Sequence, residues 1–303
     1  KPLIGLAVQL SEKGRSHYHL GEAGRAILFA SNSFPDDLLG SIQESLAITI
    51  RLERIKNALT LIRPFIIDAA KEMRQVDVLQ FSPSQQENIG FLKSQTEYLA
   101  RMFDPAEQGI GEILNILGKD GSKRYLMLFQ NNGEMRPTGG FIGSLALVDI
   151  DNGEVKKFFV PEGGSYEVGG GLQERLASPK PFAILHPEWN IQDCNWFPDF
   201  PTSAQKCAWF LEKSFGTSTD GVIAIDMNTM LAFLRILGPV SLPEYGVEIN
   251  DQNFIPITQT IVEGSRDTGT PKKFLSDLAP IILQKITEQL ANPKNAFVIA
   301  AEI

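Results

Sequence analysis

The stretch that decides the fold is KRYLMLFQNNGEMRPTGGFIGSLALVDIDNGEVKKFFV, which runs from Lys123 to Val160. Two apolar runs in it, Arg124–Gln130 and Phe141–Ile150, have the length and composition of β-strands. A turn at residues 151–153 (Asp-Asn-Gly) then leads into a third run, Val155–Val160, because Asn and Gly tolerate the positive φ angles of tight hairpins. The stretch therefore predicts three consecutive antiparallel strands.

On the N-terminal side of this stretch, apolar residues recur with helical spacing from Leu3 to about Leu117. Breaks around Phe34 and Pro83 divide the region into long helices, with a new helix expected from Pro35. Pro64 lies inside one of these helical patterns and is expected to kink it or shift its register, since proline lacks the N–H that a helix uses. Residues 1–120 are thus predicted to form a helical bundle.

On the C-terminal side, helical and strand patterns alternate. An irregular span rich in glycine, proline and tryptophan comes first, from Pro161 to Asp199. The sequence then predicts a helix from about Pro201 to Phe215, a buried strand at Gly221–Asp226, a helix at Asn228–Leu237, a hairpin at Val240–Ile249, and two helices, one from about Asn253 and one at Pro271–Leu290. The expected fold class is α/β (α+β): an N-terminal helical bundle (1–120) followed by a mixed-sheet α/β domain (121–303).

Composition limits the partners and the covalent chemistry. Lysine and arginine number 28 against 36 aspartates and glutamates, a net charge of −8, which argues against nucleic acid as a partner. Cys194 and Cys207 have no zinc-site spacing; they could form one disulfide, but two buried free thiols are the favoured expectation. No apolar stretch reaches the roughly 20 residues that cross a bilayer. Because the chain begins at Lys1 without an initiator methionine, we expect a fragment, compatible with an N-terminal membrane anchor upstream.

The connection between the first two predicted strands is the densest candidate site. Arg136 can offer its planar guanidinium to a phosphate or carboxylate, and Thr138, Gly139 and Gly140 can bring backbone N–H groups close to an anion. The alternative is a turn in which the glycines set the backbone and Arg136 is solvated or pairs with Glu134. The segment is neither a P-loop nor a dinucleotide-binding fingerprint, because its glycines lead into a strand and no Lys-Ser/Thr follows.

Two further segments carry charges next to predicted helix starts. Thr202 and Gln205 have capping-box spacing, and Asp199 just before them either complements the helix dipole or, beside a phosphate, holds Mg²⁺ or orients an arginine. In Gly264–Lys273, the cations Arg266, Lys272 and Lys273 either converge on a diphosphate or belong to a solvated helix start. Asp226, at the end of a predicted strand, is a weaker candidate and equally a helix cap.

Three motifs in this order resemble a known bacterial family, the domain of unknown function 4012. The run Phe129–Ser144 is similar to its hallmark, and Trp196–Ala204 and Asp220–Ile225 with Leu237–Val240 are similar to its next two motifs. The match covers about Lys123–Leu290. Members of that family resemble membrane-anchored envelope proteins whose soluble part lies outside the cytoplasm. The resemblance therefore implies an extracytoplasmic position at the cell membrane and leaves the activity unassigned.

A fainter similarity links the chain to the LytR-CpsA-Psr phosphotransferases, which move glycopolymers from polyprenyl diphosphate carriers to the cell wall. Arg136, Gly221–Val240 and Arg266–Lys273 stand in comparable order, although Arg136–Gly139 reads Arg-Pro-Thr-Gly where that family has Arg-Ser-Asp-Thr, and lysines replace later arginines.

This similarity implies a related fold in the second domain and a possible phosphotransferase. In that reading, Arg136, Asp199 and Arg266 are catalytic, Asp199 holds Mg²⁺, and the remaining five residues bind the ligand: Thr138, Gly139, Gly140, Lys272 and Lys273. The expected partner is a lipid-linked glycan diphosphate. The alternative function is a non-catalytic surface or assembly module of the envelope.

Overall fold

The computed structural model describes residues 2–33, 47–184, 186–264 and 273–290. Its internal contacts divide the chain into two compact units, Lys1–Ile116 and Leu117–Ile303. Within the described ranges, no helix combines the length and the apolar content that crossing a membrane requires.

The first unit consists of long helices, as predicted. Helices α1 (Pro2–Asn32), α2 (Ile48–Arg74) and α3 (Pro83–Ile116) pack in sequence, α1 against α2 and α2 against α3. Helix α2 includes Pro64 without ending there. The helix start expected at Pro35 lies outside the described residues. Small apolar clusters hold the helices together, one that includes Met73 and one that includes Phe103.

The second unit contains a four-stranded mixed sheet. Strands β1 (Lys123–Asn131), β2 (Phe141–Asp151) and β3 (Glu154–Phe159) are antiparallel neighbours, which confirms the three predicted strands. The turn between β2 and β3 has Asn152 at φ 50° and Gly153 at φ 83°, as its sequence requires. Strand β4 (Gly221–Asp226) pairs with β1 in parallel, so the strand order is β3-β2-β1-β4.

Both faces of this sheet are covered, which explains why its central strands are apolar at nearly every position. Successive side chains of a strand point to opposite faces. One face packs on helix α5 (Phe200–Phe215) and the other forms a separate cluster with Val160. The first face carries Leu126, Leu128, Leu145 and Leu147, and the second carries Met127, Ala146 and Val148.

The span between β3 and α5 departs from the sequence expectation in two ways. It includes a short helix, α4 (Ser165–Gly170), within the glycine-rich run. In addition, Cys194 and Cys207 form a disulfide with a Cα–Cα distance of 5.0 Å, so the expectation of two free thiols was wrong. The reason is tertiary, because α5 turns Cys207 toward the sheet and the irregular span brings Cys194 to the same buried place.

The rest of the second unit forms its own apolar cluster. Helix α6 (Met227–Leu237), strands β5 (Val240–Leu242) and β6 (Val247–Ile249), and helices α7 (Phe254–Gly264) and α8 (Lys273–Leu290) follow the predicted order. The β5–β6 hairpin turns at Gly246, where φ is 64°. The mixed helix-and-sheet composition and the N-terminal helical region confirm the predicted α/β fold class.

Candidate functional site

The carboxyl ends of β1 and β4 lie side by side, because the two strands are parallel and Gln130 is opposite Asp226. Ligands of open α/β sheets characteristically bind at such strand ends. Two features meet this edge: the connection from Asn132 to Gly140, here called the Arg136 loop, and a cavity beside it. Each is built from different residues and has a different chemical character.

Arg136 is held by neighbours within the second unit. Its Nε donates to Oδ1 of Asp193 at 3.0 Å, and its Nη1 donates to the carbonyl of Met135 at 2.9 Å. The guanidinium carbon lies 5.4 Å from the ring centre of Phe141 and 5.8 Å from that of Phe182, within cation–π range. The side chains of Arg136 and Asp193 are only 25% and 11% exposed. Arg136 is therefore paired, with Asp193 and not Glu134, and this pairing fixes the loop.

Asn195 binds the backbone of the same loop. It is almost completely buried, and its Nδ2 donates to the carbonyls of Pro137 and Gly140 at 2.8 Å each. Asp193 and Asn195 flank Cys194, whose disulfide ties this segment to α5. The ion pair of Asp193 and the amide of Asn195 thus hold the loop to this segment, and the disulfide joins the segment to α5.

The glycines of the loop serve close backbone contact. Gly139 and Gly140 have φ angles of 126° and 140°, and Thr138 has a φ of 67°. A Cβ on Gly140 would lie 2.2 Å from the carbonyl oxygen of Asn131, and one on Gly139 would lie 2.7 Å from Oε1 of Gln130. The hydroxyl of Thr138 accepts a hydrogen bond from Nε2 of Gln130 at 2.9 Å. These residues, predicted to bind ligand, are engaged with the end of β1.

Asp199 is the N-cap of α5. Its Oδ2 accepts from the Thr202 hydroxyl at 2.6 Å and from the Thr202 N–H at 2.9 Å, and these hydrogen bonds, the hydroxyl's first, lower the pKa of Asp199. The predicted capping box at Thr202 and Gln205 was therefore wrong by three residues, because Asp199 is a good acceptor and Pro201 fits the first helical turn. In the described ranges, no group of three or more His, Cys, Asp or Glu side chains could hold a metal.

Of the three predicted cations, Lys273 lies among the described residues, and its side chain pairs with acidic side chains. Lys273 Nζ lies 2.8 Å from Oδ2 of Asp277 and 3.7 Å from Oε2 of Glu244. No hydrogen bond or ion pair among the described residues joins Arg136, Asp199 and Lys273. Arg266 and Lys272 lie outside the described residues. Asp226 caps α6 by accepting a hydrogen bond from the N–H of Thr229, which confirms the helix cap that the sequence analysis gave as one of two alternatives.

The cavity has a volume of about 200 Å³ and walls that are mostly apolar. It lies among the ends of β1 and β4, the start of β2, and helices α6, α7 and α8. Among the described residues that line it there is no lysine or arginine. Its main apolar walls are Phe129, Ile225, Met230, Phe254 and Leu278.

Sequence reasoning missed this cavity, since its walls come from six elements and each wall residue reads as ordinary core. The one local signal is Ser144, a hydroxyl inside the apolar run of β2. In a strand that is buried on both faces, the hydroxyl of a serine normally forms a hydrogen bond, and one without a partner requires an explanation.

Comparison with known families gives one match. Residues 120–262 match the model of a family described as protein of unknown function, DUF4012. This part of the chain belongs to that family, which confirms the resemblance drawn from the Phe129–Ser144 motif. No curated protein and no solved structure shows a significant match to the chain. The similarity to the LytR-CpsA-Psr phosphotransferases stays a prediction.

Proposed function

We propose that this chain is an extracytoplasmic binding domain of the bacterial cell envelope, and that its cavity takes a segment of the apolar chain of a polyprenyl-diphosphate-linked glycan. The observation that carries the proposal is the cavity itself. It is concave, mostly apolar and located at the ends of β1 and β4, which is the usual place for a ligand in this class of sheet. The lipid-linked ligand and the membrane attachment come from the family resemblances.

The Cys194–Cys207 disulfide supports a position outside the cytoplasm. Both cysteines are completely buried, and the bond joins the segment that holds the Arg136 loop to α5. Structural disulfides form and persist in oxidising compartments and are rare in the cytosol of most organisms. A bond in the middle of a core cluster is therefore what an envelope domain would use to stabilise an irregular span.

The contacts favour binding over phosphoryl transfer. A transferred phosphoryl group needs cations placed around its oxygens. Arg136 is engaged with Asp193, and Lys273 with Asp277. The remaining candidates for the diphosphate are Arg266 and Lys272, which the sequence places between α7 and α8, two helices that line the cavity.

The test is a titration of the oxidised protein with farnesyl diphosphate, followed by calorimetry and by the melting temperature. We expect saturable binding and a higher melting temperature, because a ligand of the folded state stabilises it. Ala279→Phe, which places a ring into the cavity wall, should weaken binding at least tenfold. Ile184→Phe is the control, since Ile184 is 87% exposed. Circular dichroism checks that both variants fold.

A joint Arg266→Ala and Lys272→Ala variant tests the charged end of the ligand. It should weaken farnesyl diphosphate and leave farnesol unchanged, because farnesol has no phosphate. If saturating farnesyl diphosphate produces neither heat nor a shift in melting temperature, the proposed function is wrong.

One observation favours the second candidate, a non-catalytic assembly module. Helix α3 exposes large apolar side chains, among them Phe91, Tyr98 and Met102, whose spacing of seven and four residues puts them on one face of the helix. Sedimentation equilibrium tests this candidate directly. Self-association that Tyr98→Lys abolishes, together with no response to any prenyl diphosphate, would establish it.

A further inference from the structure

Two hydroxyl groups that line the cavity have no hydrogen-bond partner within the part of the chain that the structure describes. Ser144 lies in β2 opposite Phe129 and is 2% exposed, and its Oγ is buried and unpaired. Thr258 lies in α7, and its Oγ1 is likewise buried and unpaired. Both residues belong to the cavity wall. A mostly apolar cavity therefore contains two buried hydroxyl oxygens with unused hydrogen-bonding capacity.

Such hydroxyls are exceptions among buried polar groups. Most buried side-chain oxygens are hydrogen bonded, since an unpaired one destabilises the fold. A threonine in a helix has a simple remedy, donation to the carbonyl four residues earlier. Thr260, two residues further along α7, does this with the carbonyl of Pro256 at 2.8 Å. Thr258 does not, although it lies on the same helix.

Of the other polar side chains at the cavity, those of Gln130, Asn131 and Asp226 are already engaged, and that of Gln259 is exposed. Gln130 donates to the Thr138 hydroxyl, and Oδ1 of Asn131 accepts from the N–H of Gly133 at 3.0 Å. Asp226 accepts from both the N–H and the hydroxyl of Thr229. Ser144 and Thr258 are thus the residues with buried hydroxyls that are available to recognise something inside the cavity.

We infer that the cavity binds an apolar group that carries a hydrogen-bonding oxygen, such as an alcohol, ether, carbonyl or ester oxygen, and that Ser144 and Thr258 are the residues that recognise this oxygen. The inference rests on the proposed function in one respect, that the cavity is a ligand site, and it does not require a diphosphate. It assigns the cavity a selectivity: each hydroxyl favours an oxygenated ligand over a hydrocarbon of the same shape, because the hydrocarbon leaves both hydroxyls unpaired.

The volume limits the size of the group that enters. A cavity of roughly 150 Å³ holds benzene, so one of about 200 Å³ holds, in proportion, about eight non-hydrogen atoms. Benzyl alcohol and ethylbenzene each have that many atoms and differ by one hydroxyl in place of a methyl group. They form a matched pair of probes.

The experiment measures both dissociation constants in the wild type, in Ser144→Ala, in Thr258→Val and in the double variant. Thr260→Val is the control on the same helix. We expect each single substitution at the cavity to weaken benzyl alcohol about 3- to 10-fold, the usual effect of one hydrogen bond, and to leave ethylbenzene unchanged or tighter. The readout is the ratio of the two dissociation constants, compared between the wild type and each variant. The different hydration of the two probes is the same for every protein and cancels in this comparison.

A second measurement separates recognition from a structural role. Without ligand, Ser144→Ala and Thr258→Val should keep or raise the melting temperature, because each removes an unpaired buried hydroxyl. Thr260→Val should not raise it, since its hydroxyl is hydrogen bonded. A hydroxyl that only supports the fold would instead lower the melting temperature when removed.

The outcomes distinguish this inference from the proposed function. Equal losses for both probes, or no binding of either, would overturn the inference. If farnesyl diphosphate, whose prenyl chain carries no such oxygen, still binds the wild type in that case, the inference is wrong and the proposed function stays intact. Benzyl alcohol that responds to the substitutions while farnesyl diphosphate does not bind would support the inference and remove the proposed ligand.

Discussion

The Arg136 loop and the cavity meet the same edge of the sheet, yet their polar groups are in opposite states. In the loop, Arg136 is paired with Asp193, and Asn195 binds two of the loop carbonyls. In the cavity, the hydroxyl oxygens of Ser144 and Thr258 are buried and have no hydrogen-bond partner among the described residues. The most conspicuous motif in this sequence thus has its polar groups engaged within the second unit, whereas the cavity is made of residues that form no motif.

The largest effect should come from Gly140→Ala, which breaks the loop side of the comparison. The new Cβ would lie 2.2 Å from the backbone oxygen of Asn131, at a φ of 140° that favours glycine. Overlap with backbone and a strained φ together should lower the free energy of unfolding by about 3 kcal/mol or more. Urea denaturation measures this loss.

Gly170→Ala is the control for that substitution, because a Cβ there meets nothing within 4 Å and its φ is not positive. It should change stability little. If Gly140→Ala were as stable as the control, the backbone packing of the loop described above would be wrong.

Removing the disulfide should have the next largest effect. The two cysteines are 13 residues apart in sequence, and a bond closing a loop of about that length contributes about 3 kcal/mol. A Cys194→Ala and Cys207→Ala double variant should lose that much, and dithiothreitol should destabilise the wild type but not the variant. Ligand binding at the cavity should persist below the lowered melting temperature, because neither cysteine lines it. Loss of that binding in the folded variant would show that the loop and the cavity are not separable.

The loop and the disulfide also illustrate which features of the structure could be predicted from the sequence and which could not. The strands, the Asn152-Gly153 turn and the helix order were predictable, because each depends on periodicity and turn residues within a short window. The disulfide and the Arg136–Asp193 pair were not, since an irregular span whose path has no periodic pattern brings their partners together. The cavity has walls from six elements, and only its tertiary packing defines it.

The Arg136–Asp193 ion pair should have an intermediate effect. Arg136→Ala leaves a carboxylate that is only 11% exposed without its partner, so stability should fall by about 2 kcal/mol. The double variant Arg136→Ala and Asp193→Ala should lose less stability than the sum of the two single variants, because each single substitution already breaks the same ion pair. The matched control is Arg175→Ala. Arg175 pairs with Glu188, but these side chains are 88% and 56% exposed, respectively, so the pair contributes less than about 1 kcal/mol. Calorimetry should find the affinity of the cavity unchanged in Arg136→Ala; a large loss of affinity would restore Arg136 as a binding residue.

We expect the smallest change in stability from a substitution of Asp199. This substitution tests whether Asp199 caps a helix or holds a metal. Thr202 lowers the pKa of Asp199 below its ordinary 3.8, so the capping carboxylate stabilises the fold at pH values above 3.8 and this contribution disappears as the pH falls through the lowered value. Asp199→Ser keeps a capping oxygen that does not titrate. The two proteins should therefore melt at similar temperatures at pH 7, and the wild type alone should lose the contribution of its cap as the pH falls below 3.8.

Mg²⁺ separates the two roles of Asp199 further. A cap predicts that millimolar Mg²⁺ shifts the melting temperature of neither the wild type nor Asp199→Ser. A shift in the wild type that Asp199→Ser removes would identify a metal ligand. Asp199 would then belong with the cavity as a group that meets a ligand, and the division between a fold-maintaining loop region and a ligand-binding cavity would have to be redrawn at the start of α5.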